Sequence, residues 1–196
     1  MGWGRLIFGQ TFADPSELIT ALRAEGPGRR DIAPYVTDPH VLLAQAPQEL
    51  FLDPSHTFRL ELTDGCEADR KPRGFGIRRL NSLRDADEVN RIFLALKMVP
   101  VPPDFFWRRR DSRVVTCLVA EDTKTGRVIG TVMGCDHGRA WGDPERGSSL
   151  WCLAVDPQTS RPGVGESLVR HLAGLMREAG ASQLDLSVLH DNEQAI

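Results

Sequence analysis

The 196 residues, 41% apolar and 26% charged, have the composition of a soluble globular chain: one medium domain, or a domain with a sizeable extension. A formal net charge of −3 argues against a general nucleic-acid binder, and no apolar run reaches the length of a signal-peptide core or a membrane span. The four cysteines, Cys66, Cys117, Cys135 and Cys152, form no C-x-x-C pair and no zinc spacing, so no metal site is expected and a reducing, cytoplasmic compartment is. Cys117 and Cys152 lie in apolar strand-like runs and read as small core residues.

Residues 1–71 read as an N-terminal extension. "RLIFGQTF" is strand-like, and "DPSELITALRAEG" is a helix with Asp14 or Ser16 as N-cap and Gly26 past its end. The stretch "DIAPYVTDPHVLLAQAPQELFLDPSHTFRLEL" alternates short apolar runs with Asp-Pro and Ala-Pro breaks, which predicts strands and turns. "TDGCEADRKPRG" is polar and is the linker candidate.

A second domain is expected over 72–196. "FGIRRL" is a strand, and "DADEVNRIFLALKM" spaces Val89, Ile92, Phe93 and Leu96, with Met98 a further candidate, as one helical face. A helix restarts at Pro103 and runs into Trp107, Arg108, Arg109 and Arg110, a basic cluster that reads as a solvated helix end in preference to a phosphate-binding one. "VVTCLVA" and "VIGTVMG" flank the hairpin turn "EDTKTGR". A polar loop, "CDHGRAWGDPERG", leads to the strand "SSLWCLAV". Then come a glycine-bearing bend, a helix with Val164, Leu168, Leu172, Leu175 and Met176 on one face, and the alternating strand "SQLDLSVL".

The bend is the chemically informative stretch. In "LAVDPQTSRPGVGESLVRHL" two glycines, Gly163 and Gly165, stand at the start of a helix, where free N–H groups and the positive end of the helix dipole suit phosphate. A P-loop would need lysine after Gly165, where Glu166 stands. A dinucleotide fingerprint would need a third glycine where Leu168 stands and a much tighter turn. A plain helix entry with packing glycines is the bland alternative.

Val155, Pro157, Gly163, Gly165 and Leu168 match without a gap a motif of the GCN5-related N-acetyltransferases, and the region resembles that family. The resemblance implies an α/β fold, a mixed and mostly antiparallel sheet flanked by helices, and acetyl-CoA as co-substrate. It implies that Leu153, Ala154 and Val155 offer main-chain groups to the pantetheine arm. The pyrophosphate would lie on the amides of 161–166, thus on Arg161, Gly163, Val164, Gly165 and Glu166. Ser160 stands where the family has Arg or Gln, with Arg161 beside it as a stand-in for the charge. Asn192 and Ala195 match a further family position, and the chain then stops before the family's last helix and strands, which would leave 183–189 as an open apolar edge prone to pairing into a homodimer.

No catalytic base or acid is assigned. Ungapped counting places Ser149 where some members carry a glutamate; it is either an ordinary strand-start serine or a group able to pass a proton to water. The only tyrosine is Tyr35, so the family's usual tyrosine acid is missing, and Glu121, Asp143 and Glu145 are expected in loops. The segments "LIFGQTF" and "PQELFLDPSHTFRL" further resemble the N-acetylglutaminylglutamine synthetases. In those enzymes an acetyltransferase part precedes an ATP-grasp ligase, and the resemblance implies glutamine as the amine and synthesis of an osmoprotectant dipeptide. A CoA-binding regulatory module without turnover, or an interaction domain, are the rival readings.

Overall fold

The computed structural model describes residues 5–24, 32–52, 55–62, 73–190 and 192. Gly26, Cys66, Ala195 and most of the linker candidate lie outside them. The chain divides into two compact units, Met1–Ser55 and His56–Ile196. The division falls ahead of the polar stretch 63–74 because a strand from the extension joins the second unit's sheet.

In the first unit β1 (Arg5–Phe8) pairs in parallel with β2 (Ile32–Tyr35), a geometry that requires the crossover supplied by α1 (Pro15–Leu22). Asp14 caps α1 by accepting from the Ser16 amide, ahead of a proline at the first helical position. The expected run of strands and turns contains a short helix, α2 (Pro39–Gln45). Leu18 and Ile19 of α1 pack with Leu42 and Ala46 at α2, and Arg23 grips Glu49 through two hydrogen bonds of 2.8 and 2.7 Å.

The second unit is built on a six-stranded sheet in the order β3-β8-β7-β6-β5-β4. Strands β4 (Phe75–Arg79), β5 (Val115–Asp122), β6 (Val128–Asp136) and β7 (Gly147–Val155) form an antiparallel meander. Helix α6 (Val164–Glu178) then crosses over to β8 (Gln183–Leu189), which runs parallel to β7. This is the mixed, mostly antiparallel α/β sheet that the resemblance implied.

Helix α6 lies on one face, and its contact explains two sheet glycines. A Cβ on Gly130 would stand 2.7 Å from Val164 Cγ1, and one on Gly134 2.5 Å from Leu172 Cδ1. Val164, Leu168, Leu172, Ala173 and Met176 are buried there, while Leu175 is half-buried. The other face takes α3 (Leu83–Ala95), capped by Ser82, and α4 (Pro103–Arg109). Leu96, expected on the buried face of α3, is exposed because the helix ends before it. The basic end of α4 is only partly solvated: Arg108 is exposed and pairs with Asp104, whereas Arg109 and Arg110 are half-buried over the Phe105 and Trp107 rings.

Strand 183–189 is not the open edge expected from the end of the chain. β3 (Ser55–Glu61) lies along it, with Thr57 on Ser187 at 3.3 Å and Arg59 on Asp185 through two bonds of 2.8 Å. The Leu62 amide donates to Ser182 O at 2.9 Å. Partner numbers that fall on β8 as they rise on β3 make the pair antiparallel. The outer strand is β3, exposed along its length and carrying Arg59 and Glu61, charges that blunt an edge. No described helix is long and apolar enough to cross a membrane.

Candidate active site

The bend between β7 and α6 is held at both ends by ion pairs. Asp156, buried at the end of β7, takes Arg91 of α3 at 2.7 Å, and its other oxygen accepts the Gln158 amide. Near the far end, Arg161 Nε donates to Asp122 Oδ2 at 2.7 Å while its guanidinium covers Gly74. Asp122 also accepts the Lys124 and Thr125 amides, so one carboxylate shapes the β5–β6 hairpin and anchors the bend. Arg161 and these amides hold that carboxyl well below the usual range, down to about 2. A depressed carboxyl stabilises the fold above its ordinary value near 3.8, and that contribution is lost as pH falls through about 2. Arg161→Gln is therefore expected to flatten the acid limb of the stability curve between those values, read by acid unfolding followed with circular dichroism.

Gly163 takes the left-handed conformation, φ +78°, as the N-cap of α6 and provides no side-chain cap. The first intrahelical bond runs from the Ser167 amide to Gly163 O, so the amides of Val164, Gly165 and Glu166 precede the ladder. A Cβ on Gly163 would meet no heavy atom within 4 Å. One on Gly165 would touch only Val155 Cγ2, at 3.5 Å. The backbone conformation asks for glycine at 163, but nothing in the fold crowds either position, so the bend offers three amides in open space, a cradle whose donors fit a pyrophosphate. Ser160 is exposed beside it, Val164 turns its side chain into the core, and Glu166 pairs with Arg170 at 2.8 Å.

Below the bend the two parallel strands part. Among the described residues β7 and β8 pair only at Gly147–Gln183, Ser148–Leu184 and Ser149–Asp185. Beyond Ser149 no described strand pairs with the β8-facing side of β7, Leu153 to Val155 included. A bulge lies in this stretch: Cys152 and Leu153 together oppose Val132, and Cys152 has φ +52°. Cys152 is accordingly half-buried at a kink, not the plain core residue expected of a regular strand, though burial still pushes its thiol up to about 11. Asn192 is exposed, with its amide on Leu189 O.

Where the strands part, the polar loop supplies a helix that its composition did not predict, α5 (His137–Trp141). Asp136 caps it, and Gly142 ends it in the left-handed conformation. His137 Nε2 lies 2.8 Å from Ser149 Oγ, which also accepts the Trp151 indole N–H at 2.7 Å. On the other side of the ring, Nδ1 is 3.8 Å from Asp143 Oδ2, and Trp141 stacks on the imidazole at 4.8 Å between centroids. Asp143 is fixed by the amides of Glu145 and Gly147. Burial pulls the His137 pKa below its ordinary value, against the pull of Asp143, Asp185 and Asp136. Of the acids expected in loops, Glu121 instead lies in β5, bound to Arg78.

The profile of the acetyltransferase (GNAT) family matches residues 83–196, and the chain belongs to that family. Solved structures share the fold. A GCN5-related N-acetyltransferase from Sphaerobacter thermophilus aligns at 16% identity over 83% of this chain and 51% of its own, with a TM-score of 0.59. An aminoglycoside acetyltransferase from an uncultured soil metagenomic sample aligns at 18% identity over 62% of this chain and 82% of its own, TM-score 0.53. Ard1 from Thermoplasma volcanium aligns at 23% identity over 62% and 76%, TM-score 0.50. Comparison with curated proteins returned no match. The family places the chain among enzymes that transfer acetyl groups to amines.

Proposed function

We propose that this chain transfers the acetyl group of acetyl-CoA to the primary amine of a small molecule, with glutamine the acceptor that the likeness of its N-terminal segments implies. The observation that carries the reading is the left-handed Gly163 ahead of three unladdered amides, at the end of a strand that has parted from its neighbour. In this reading the amides of Val164, Gly165 and Glu166 hold the pyrophosphate. Ser160 and Arg161 border it, and Arg161 acts by fixing the bend through Asp122. Leu153, Ala154 and Val155 align the pantetheine arm by main-chain bonds, and Asn192 lies at the far strand's end.

Acetyl-CoA supplies an activated acetyl thioester open to attack by a neutral amine. The protein's part is orientation: holding amine and carbonyl in one geometry removes much of the entropic barrier. The six steps from Val155 down to Ser149 span about 20 Å of strand, the distance an arm anchored at the bend has to cover to bring its thioester to the point where β7 and β8 meet. Calorimetric titration with acetyl-CoA, followed by a thiol-release assay with glutamine, tests the proposal. Binding with release supports it, binding without release leaves a CoA-binding module, and neither overturns it.

A further inference from the structure

We propose that Ser149, His137 and Asp143 form a proton relay at the meeting point of β7 and β8, which strips the incoming ammonium of the proton that blocks its attack. The inference rests on the acetyltransferase reading and adds the base that the sequence could not assign.

The hydrogen-bond capacity of Ser149 defines the relay. A hydroxyl has two acceptor sites and one donor. The Trp151 indole can only donate, so it occupies one acceptor site at 2.7 Å. The hydroxyl proton then goes to His137 Nε2 at 2.8 Å, which leaves one acceptor site for an N–H of the substrate. Nε2 accepts when the ring proton is on Nδ1, the nitrogen that faces Asp143 Oδ2 at 3.8 Å. Asp143 favours that tautomer and the imidazolium that follows. Ser149 is the last residue of β7 paired with β8, so the open acceptor site stands where the strands begin to part.

Protons and electrons balance as follows. The ammonium gives a proton to Ser149 Oγ while Ser149 gives its own to His137 Nε2, leaving a neutral amine and an imidazolium. The amine lone pair forms the N–C bond to the acetyl carbonyl, the C–S bond breaks, and its electron pair leaves with the sulfur. The proton the nitrogen sheds as it becomes an amide goes to that thiolate, and His137 returns the first proton to solvent. Among the described residues, the charged groups facing the imidazole include Asp143 from the loop before β7, Asp136 at the cap of α5 with Arg139, and Asp185 of β8, itself held by Arg59 of β3. Burial outweighs these carboxylates and keeps the ring neutral, hence able to accept, at neutral pH.

The test compares wild type, His137→Gln and Ser149→Ala by calorimetry with acetyl-CoA and by acetyl transfer to amines graded in basicity: glutamine, glycinamide and hydroxylamine. Both variants are expected to bind acetyl-CoA as wild type does. Each should lose about 10²–10⁴-fold in kcat on the most basic amine that wild type accepts. The loss should shrink toward none on hydroxylamine, which is already neutral, and the acid limb of kcat/KM should move up to the amine's own pKa in His137→Gln. A loss that is equal across amines, an unchanged acid limb, or an acetyl group found on Ser149 by intact mass overturns the relay. So does a wild type that binds acetyl-CoA yet transfers to none of them, whereas failure to bind acetyl-CoA is failure of the acetyltransferase reading itself. Nitrogen NMR of His137 applies whatever the acceptor: a neutral ring protonated on Nδ1 is expected, and one protonated on Nε2 overturns the proposal.

Discussion

Gly163→Val is expected to abolish detectable acetyl-CoA binding in calorimetry while the protein still unfolds cooperatively. A β-branched residue at φ +78° costs about 1–3 kcal/mol of backbone strain, a fraction of a typical domain's stability. No heavy atom lies within 4 Å of the added Cβ, so the fold survives and the side chain stands in the cradle. Gly165→Ala separates the two effects. Its Cβ makes an ordinary 3.5 Å contact with Val155, and alanine in a helical turn gains up to about 1 kcal/mol of helix propensity. The melting temperature should hold or rise while affinity falls. Unchanged affinity in both folded variants would remove the bend from the binding site.

The second large effect is on stability. Leu172→Ala should cost about 2–5 kcal/mol in denaturant unfolding, since Leu172 is wholly buried between α6 and β6. Its Cδ1 stands 2.5 Å from where a Cβ on Gly134 would be. Gly134→Ala alone overpacks that point and is destabilising, by about 1–3 kcal/mol if its neighbours cannot yield. Together the two changes should be less costly than their sum, because the new methyl enters space the leucine has left. Strict additivity would mean that Met176, whose Cε also lies 2.5 Å from that Cβ, closes the space first.

What the sequence makes legible here is what it encodes locally. The α6 face, its glycine entry and the β5–β6 hairpin each depend on residues a few positions apart, and each stands where expected. Asp38-Pro39 ahead of α2, and Asp136 with Gly142 around α5, are a cap or stop signal at a helix too short to show a face. Those signals could have found both helices within stretches read as turns and loop. The bulge at Cys152 leaves no local mark, because it depends on how β7 is paired with β6. Ser149 was visible by counting, but its partners His137 and Asp143 were not. They reach it through a five-residue helix and a turn that only the fold brings back over the strand.

Strand β3 bears on how the sheet assembles in time. Arg59 and Asp185 are 126 positions apart, whereas the meander from β5 to β7 closes through short connections. Long loops are entropically costly to close before their contacts form, so the meander can condense early and β3 joins late. Contacts absent from the folding transition state govern unfolding more than folding. Arg59→Ala should therefore quicken unfolding in stopped-flow measurements and leave refolding nearly unchanged. Until β3 docks, the newly made β8 has an unpaired side, and that interval is when two copies of this chain would pair with each other.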